Sequence, residues 1–165
     1  YWLFILYGLI EWFRPRPVSE QIKRRKTLVY CLFSVIVGSS VSWVIGKIWH
    51  RPRPFACGDA APLVAHKANA SFPSNHSMNS LAISLMLLAR HNPWGLPALA
   101  WTGVLASSRI LSGLHYVSDV VGGFFIGAAA SHVVYHSKRC SQLADHILYY
   151  WHVGATVVQT WWRKC

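Results

Sequence analysis

Residues 27–54 read TLVYCLFSVIVGSSVSWVIGKIWHRPRP. The first part, Thr27 to Gly46, carries no charge and has the length, about 20 residues, that takes an α-helix across a hydrocarbon core. The remainder, Lys47 to Pro54, packs Lys47, His50, Arg51 and Arg53 against the end of that span. The same juxtaposition recurs further along. Pro73-Ser74-Asn75-His76 opens an apolar run over 77–89, Ser108-Arg109 closes one over 94–108, and His115 and Asp119 lead another over 116–135.

Working outward, the composition agrees with a chain that lives in lipid. Of 165 residues 53% are hydrophobic, nine are Trp, and 13% are charged, against about 25% in ordinary soluble domains. The reading is an all-α fold, a polytopic bundle of about six transmembrane helices forming a single domain over 1–165. Residues 1–13 are expected to be the end of a longer span. Neither the basic region nor the cleavage site of a signal peptide is evident at Tyr1. Pro15 and Pro17 break any helix through the basic stretch 14–26, read as a loop. Residues 50–75 read as a polar loop with room for a short helix near 60–69, and Asn92-Pro93 as a turn. Residues 143–162 fit either a sixth span or an interfacial helix, because Asp145, His146, His152 and Gln159 raise the cost of insertion. Trp2, Trp12, Trp43, Trp49, Trp94, Trp161 and Trp162 fall near span ends, as an interfacial belt would.

Charge is lopsided, with 16 Lys+Arg against five Asp+Glu and a net charge of +11. In a soluble protein this would suggest nucleic acid. Here the cations punctuate apolar spans, which argues for topology signals plus an anion site and against a nucleic-acid partner. The dense 14–26 stretch belongs on the cytoplasmic side. Alternation from there puts Lys47–Pro54, Ser74–His76 and Arg109–Asp119 together on the outer face. Cys31, Cys57, Cys140 and Cys165 are scattered without CxxC spacing, so neither a disulfide framework nor a thiolate zinc site is expected.

The residue types in these clusters suit a phosphate. His115 and Asp119 are four apart and share a helix face. A carboxylate there can accept the proton of one ring nitrogen, leaving the other as a nucleophile. An ordinary helix-end His–Asp pair has the same spacing, but a carboxylate leading an apolar span is expensive and usually functional. Ser74 or Asn75 can cap the helix that follows, and a helix N-terminus favours anions. His76 in its first turn can protonate a leaving oxygen. Arg53 and Arg109 offer planar forks and Lys47 a point charge; Arg51 can do as Arg53 does or stay solvated. One arginine at a span end can merely snorkel to headgroups, yet several converging with two histidines match what phosphoryl transfer needs. A metal is not expected. Five carboxylates exist and Asp119 alone lies in the clusters, while His50, His66, His76 and His115 show no ligand spacing.

The three clusters together resemble the signature of the type-2 phosphatidic acid phosphatase superfamily, a Lys followed by Arg-Pro, then Pro-Ser-Gly-His, then Ser-Arg with a His and an Asp beyond. Here they read Lys47…Arg53-Pro54, Pro73-Ser74-Asn75-His76 and Ser108-Arg109…His115…Asp119. Asn75 stands where Gly is usual, and the first cluster is one residue shorter than the usual spacing. The resemblance implies six transmembrane helices, an outward-facing site in a bacterial cytoplasmic membrane and a reaction without cofactor or metal. In it His115 attacks phosphorus, Asp119 orients it, and His76 protonates the leaving group. Lys47, Arg53, Ser74, Asn75 and Arg109 cradle the phosphate. Arg-Pro-Arg-Pro-Phe55 with Phe72-Pro-Ser-Asn-His is similar to the bacterial branch that removes phosphate from undecaprenyl diphosphate, the carrier lipid of cell-wall synthesis. Phosphatidic acid, phosphatidylglycerol phosphate and lipid A are alternative lipid phosphates for the same chemistry. A non-enzymatic carrier that holds lipid phosphate is the alternative outside catalysis. A vanadate haloperoxidase shares the site design, but its soluble character conflicts with the apolar spans.

Overall fold

The computed structural model describes residues 2–61, 63 and 67–162, without the side chains of 157–162. Every regular element in them is helical: α1 (Trp2–Phe13), α2 (Val18–Ile48), α3 (Pro54–Cys57), α4 (Asn75–Ala89), α5 (Gly95–Leu111), α6 (Val117–His136) and α7 (Lys138–Trp162).

The expected loop over 14–26 is shorter than the prolines suggested. Pro15 and Pro17 end α1, but the chain turns helical again at Val18, with Pro17 in the N-cap position. Proline is tolerated at a helix start, where its missing N–H would have had no partner. Lys23 to Lys26 therefore ride on α2, which reaches 31 residues, about 46 Å at 1.5 Å per residue. The short helix expected in the 50–75 loop also moves: it forms at Pro54–Cys57, ended by Gly58 in the left-handed conformation (φ 80°). Within 60–69, Pro62, Val64, Ala65 and His66 lie outside the described residues.

By length and apolarity α2 and α6 can each cross a bilayer. Helices α4 and α5 have 15 and 17 residues, about 23 and 26 Å, a little less than a hydrocarbon core of about 30 Å. Helix α7 packs on α2 through Ala144, in one core cluster with Val29 and Tyr30, and through a Lys26–Asp145 ion pair at 2.6 Å. Of the tryptophans read as a belt, Trp2, Trp43, Trp49 and Trp94 are exposed. Trp12 is half-buried against Trp151, and the side chains of Trp161 and Trp162 lie outside the described residues.

Helix α4 is the centre of the bundle, packed against α2, α5 and α6. Its closest approach is to α6. A Cβ at Gly127 would run into the Met78 carbonyl, and one at Gly123 would lie 2.7 Å from the Ser74 carbonyl oxygen. These two glycines, four apart, bring the backbones together as small residues do between membrane helices. The far end of the bundle is tied by polar groups: Arg90 donates to the Thr27 hydroxyl at 3.0 Å and stacks on Tyr30. Arg25 lies between the Trp12 and Trp151 rings and donates to the Trp12 carbonyl at 3.0 Å. The opposite end gathers the end of α2, the start of α4, the end of α5 and the start of α6.

Candidate active site

Two local devices place the histidine. Helix α5 ends in a turn at Gly113 (φ 68°), a left-handed conformation that favours glycine. The Arg109 carbonyl there accepts both the Leu114 and the His115 N–H at 3.2 Å. Helix α6 then begins with the Tyr116 N–H donating to Asp119 Oδ2 at 2.9 Å, so the carboxylate caps the helix that carries it. The outcome is a buried His115 whose Nδ1 faces Asp119 Oδ2 at 3.5 Å. Its Nε2 lies 3.1 Å from Arg53 Nη1. Nδ1 makes no hydrogen bond among the described residues, and Asp119 lies at the outer edge of that reach.

Asp119 is fully buried. Its Oδ1 accepts from Arg51 Nη1 at 2.7 Å, and its Oδ2 accepts from the Ser71 hydroxyl as well as from the Tyr116 N–H. The carboxylate is therefore kept charged by paired donors, as a buried charge requires. Arg53 is 5% exposed. It donates from Nε to Asn69 Oδ1 at 3.0 Å and from Nη1 to the Leu114 carbonyl at 2.9 Å. Burial pushes its pKa down and the Asp119 charge pushes it back up; guanidinium stays protonated either way. Tyr116 donates its hydroxyl to Asp59 Oδ2 at 2.6 Å, and this bond to a carboxylate raises the phenol well above its ordinary pKa.

The other expected residues surround this centre at different distances. Ser74 occupies the N-cap position of α4 without capping it: its hydroxyl pairs with that of Ser77 at 3.1 Å, and its N–H donates to the Asp119 carbonyl at 3.0 Å. Asn75 opens α4 and accepts from the Ser42 hydroxyl at 2.6 Å. His76 follows in the same turn, half-buried. Arg109 is half-buried with Nε 3.3 Å from the Ser108 hydroxyl. Lys47 stands apart. One turn beyond Trp43 on α2, it is exposed with its Nζ 5.8 Å from the indole. It lines a groove of about 450 Å³ shared with His50, Asn69, Phe72 and Asn75. The groove meets the site at Asn69, which holds Arg53. His66, among the histidines weighed for zinc, lies outside the described residues.

Four residues at the site carry no signal in the sequence. Asn69 and Ser71 come from the loop before α4, Asp59 from the loop after α3, and Tyr116 is an aromatic at a helix start. Arg51, read as a phosphate ligand or a solvated cation, is instead paired to Asp119. It also donates to the Ser118 hydroxyl at 2.7 Å and stacks 4.2 Å over the Tyr116 ring.

The PAP2 superfamily model matches residues 27–141. The chain belongs to the PAP2 superfamily. Among curated proteins it is similar to undecaprenyl-diphosphatase BcrC of Bacillus subtilis, 35% identical over 62% of this chain and 53% of that one. Similarity to phosphatidylglycerophosphatase B of the same species is 33% over 62% of this chain and 55% of that one. The chain thus spans about half the length of these relatives. Among solved structures, the transmembrane PAP2-type phosphatidylglycerolphosphate phosphatase of Bacillus subtilis superposes with a TM-score of 0.56. That match has 27% identity and covers 79% of this chain and 64% of the other. These likenesses make the chain a membrane protein of a lipid phosphatase family.

Proposed function

We propose that residues 1–165 form one membrane-embedded phosphatase domain that hydrolyses undecaprenyl diphosphate to undecaprenyl phosphate and inorganic phosphate. The domain has six transmembrane helices and its site on the extracytoplasmic face of a bacterial cytoplasmic membrane. The observation that carries the proposal is the two-sided environment of His115, with a carboxylate at Nδ1 and a buried guanidinium at Nε2. A nitrogen that faces a cation is placed to meet a phosphoryl group, since phosphate oxygens take the same donors.

In this reading Nε2 attacks the terminal phosphorus. An N–P bond forms while the bond from phosphorus to the bridging oxygen breaks. His76 gives that oxygen its proton. Asp119 holds the Nδ1 proton and stabilises the imidazolium that attack creates. Arg53 and Arg109 hold the phosphoryl oxygens, with Ser74 and Asn75 at the start of α4 and Lys47 reaching in from the groove. Water then attacks the phosphohistidine, loses a proton to His76 and releases phosphate. No step uses a metal.

The undecaprenyl substrate is supported by the likeness to BcrC and by the Arg-Pro-Arg-Pro-Phe55 segment. A second substrate, phosphatidylglycerol phosphate, is favoured by a relative of nearly equal identity and by the structural neighbour. Phosphate release by detergent-purified protein in excess EDTA, measured on both lipids and on phosphatidic acid, separates them. Preference for the polyprenyl diphosphate supports the first reading. Preference for the glycerophospholipid keeps the chemistry and replaces the substrate. Tight lipid-phosphate binding without release would mean a carrier.

A further inference from the structure

We infer that Arg51 and Ser71 are positioning residues that hold the Asp119 carboxylate, so that Arg51 acts on the reaction through Asp119 and not as a ligand of the phosphate. The inference rests on the functional reading above. Its starting point is how Arg51 is already engaged. Nη1 donates to Asp119 Oδ1 and to the Ser118 hydroxyl, both at 2.7 Å, while Cζ lies over the Tyr116 ring, 4.2 Å from its centroid. That ring is itself fixed through its hydroxyl to Asp59. Both hydrogen bonds come from one nitrogen, which an ammonium can replace in part, whereas the contact with the ring is a use for which lysine is the poorer substitute.

Ser71 closes the arrangement from the other side. Its hydroxyl donates to Asp119 Oδ2 and its N–H donates to the Arg51 carbonyl at 2.8 Å. The two loop segments that hold the carboxylate are therefore bonded to each other as well. Arg51 takes one oxygen of Asp119, and Ser71 and the Tyr116 N–H share the other, which also faces His115 Nδ1. The charged and titratable groups facing Asp119 are thus Arg51, from the segment after α2, and the His115 ring before α6, with Arg53 just beyond His115. Removing Arg51 leaves a fully buried carboxylate short of its cation. Such a group finds another donor or another position, and either event turns the oxygen away from Nδ1. Arg109 makes the contrast: among the described residues its terminal amines have no hydrogen-bond partner.

The test compares Arg51→Gln, Arg51→Lys and Ser71→Ala with the parent chain, purified in detergent. Lipid-phosphate turnover is measured alongside the affinity for orthovanadate, read both as inhibition and by calorimetry. The expected pattern for Arg51→Gln is kcat lower by about 10- to 100-fold, the range for removing a partner that orients a functional group. KM and vanadate affinity should stay within about twofold. Arg51→Lys should recover part of kcat, and Ser71→Ala should lose less than Arg51→Gln. The double variant should lose less than the product of the single losses, because both act on one carboxylate. Vanadate affinity weakened by about tenfold or more in Arg51→Gln with kcat retained would make Arg51 a phosphate ligand and overturn the inference. Unchanged kcat in both Arg51 variants would overturn it too. If the parent chain shows no turnover that depends on His115, the functional reading fails separately. Vanadate calorimetry then still reads whether Arg51 contacts the anion, and weaker binding by Arg51→Gln or Arg51→Lys counts against the inference.

Discussion

Gly123→Ala tests how far the chemistry depends on the closeness of two helices. The added methyl would lie 2.7 Å from the Ser74 carbonyl oxygen and 3.3 Å from the Met78 nitrogen. Ordinary contact begins near 3.4 Å, so the start of α4 must retreat from α6 by about 0.7 Å. Both obstacles are backbone atoms of α4, and no side-chain rotation relieves them. The retreat acts directly on the site, because the Ser74 N–H donates to the Asp119 carbonyl at 3.0 Å and His76 sits two residues further on. A misplacement of 1 Å can cost about 100-fold in rate; scaled to 0.7 Å, kcat should fall about 10- to 30-fold. Overpacking costs about 1–3 kcal/mol, offset by about 1 kcal/mol from replacing a helical glycine, so the folded state should weaken only modestly. Two companions separate packing from chemistry. Gly127→Ala meets the Met78 carbonyl one turn further from the site and should lower the melting temperature with a smaller loss of kcat. Gly103→Ala, inside α5 with no atom within 4 Å, should leave kcat unchanged and raise the melting temperature slightly, by the same helical gain. Phosphate release and a thermal melt in detergent read all three. Wild-type kcat and melting in Gly123→Ala would refute the idea that this contact sets the site geometry.

Other variants probe the remaining links. Asp119→Asn should reduce kcat by about 10³- to 10⁴-fold, because an amide cannot both accept from Arg51 and favour the Nδ1 proton; loss of less than tenfold in a phosphate-release assay would contradict the assigned role. Arg53→Lys forfeits the bonds to Asn69 Oδ1 and the Leu114 carbonyl together and should cost about 2 kcal/mol, roughly 30-fold, in kcat/KM. Arg25→Ala removes the cation between Trp12 and Trp151 at the far end of the bundle. It should destabilise by about 1–3 kcal/mol with kcat unchanged, read by melting and by steady-state kinetics.

Much of the site was legible because its chemistry sits on helix starts and ends. The His115–Asp119 pair follows from a spacing of four. What could not be read were contacts between loops. Ser71 reaches Asp119 across 48 residues and Asn69 reaches Arg53 across 16; serine and asparagine are too common in loops to signal either bond. Arg51 was ambiguous because sequence shows a cation but not the ring it stacks on. Lys47 lies on the last turn of α2, where the helix period, and not its distance along the chain from Arg53, decides its direction. The basic stretch 14–26 reads as a loop because two prolines end a helix, whereas the same ring at Pro17 is compatible with starting the next one. Residues 143–162 had no clear reading, since a helix with two histidines and an aspartate suits an interface as well as a span. The structure gives them a helical form, with Ala144 and Asp145 meeting α2.

The most direct test of the central claim is to trap the covalent intermediate. Protein mixed with polyprenyl diphosphate labelled at its terminal phosphorus would be quenched in alkali within a turnover and digested, and the phosphorylated peptide identified. The account predicts an alkali-stable, acid-labile phosphoryl group on His115, absent in His115→Ala and accumulating in a variant that slows attack by water. Label on another side chain, or turnover that survives His115→Ala, would contradict it.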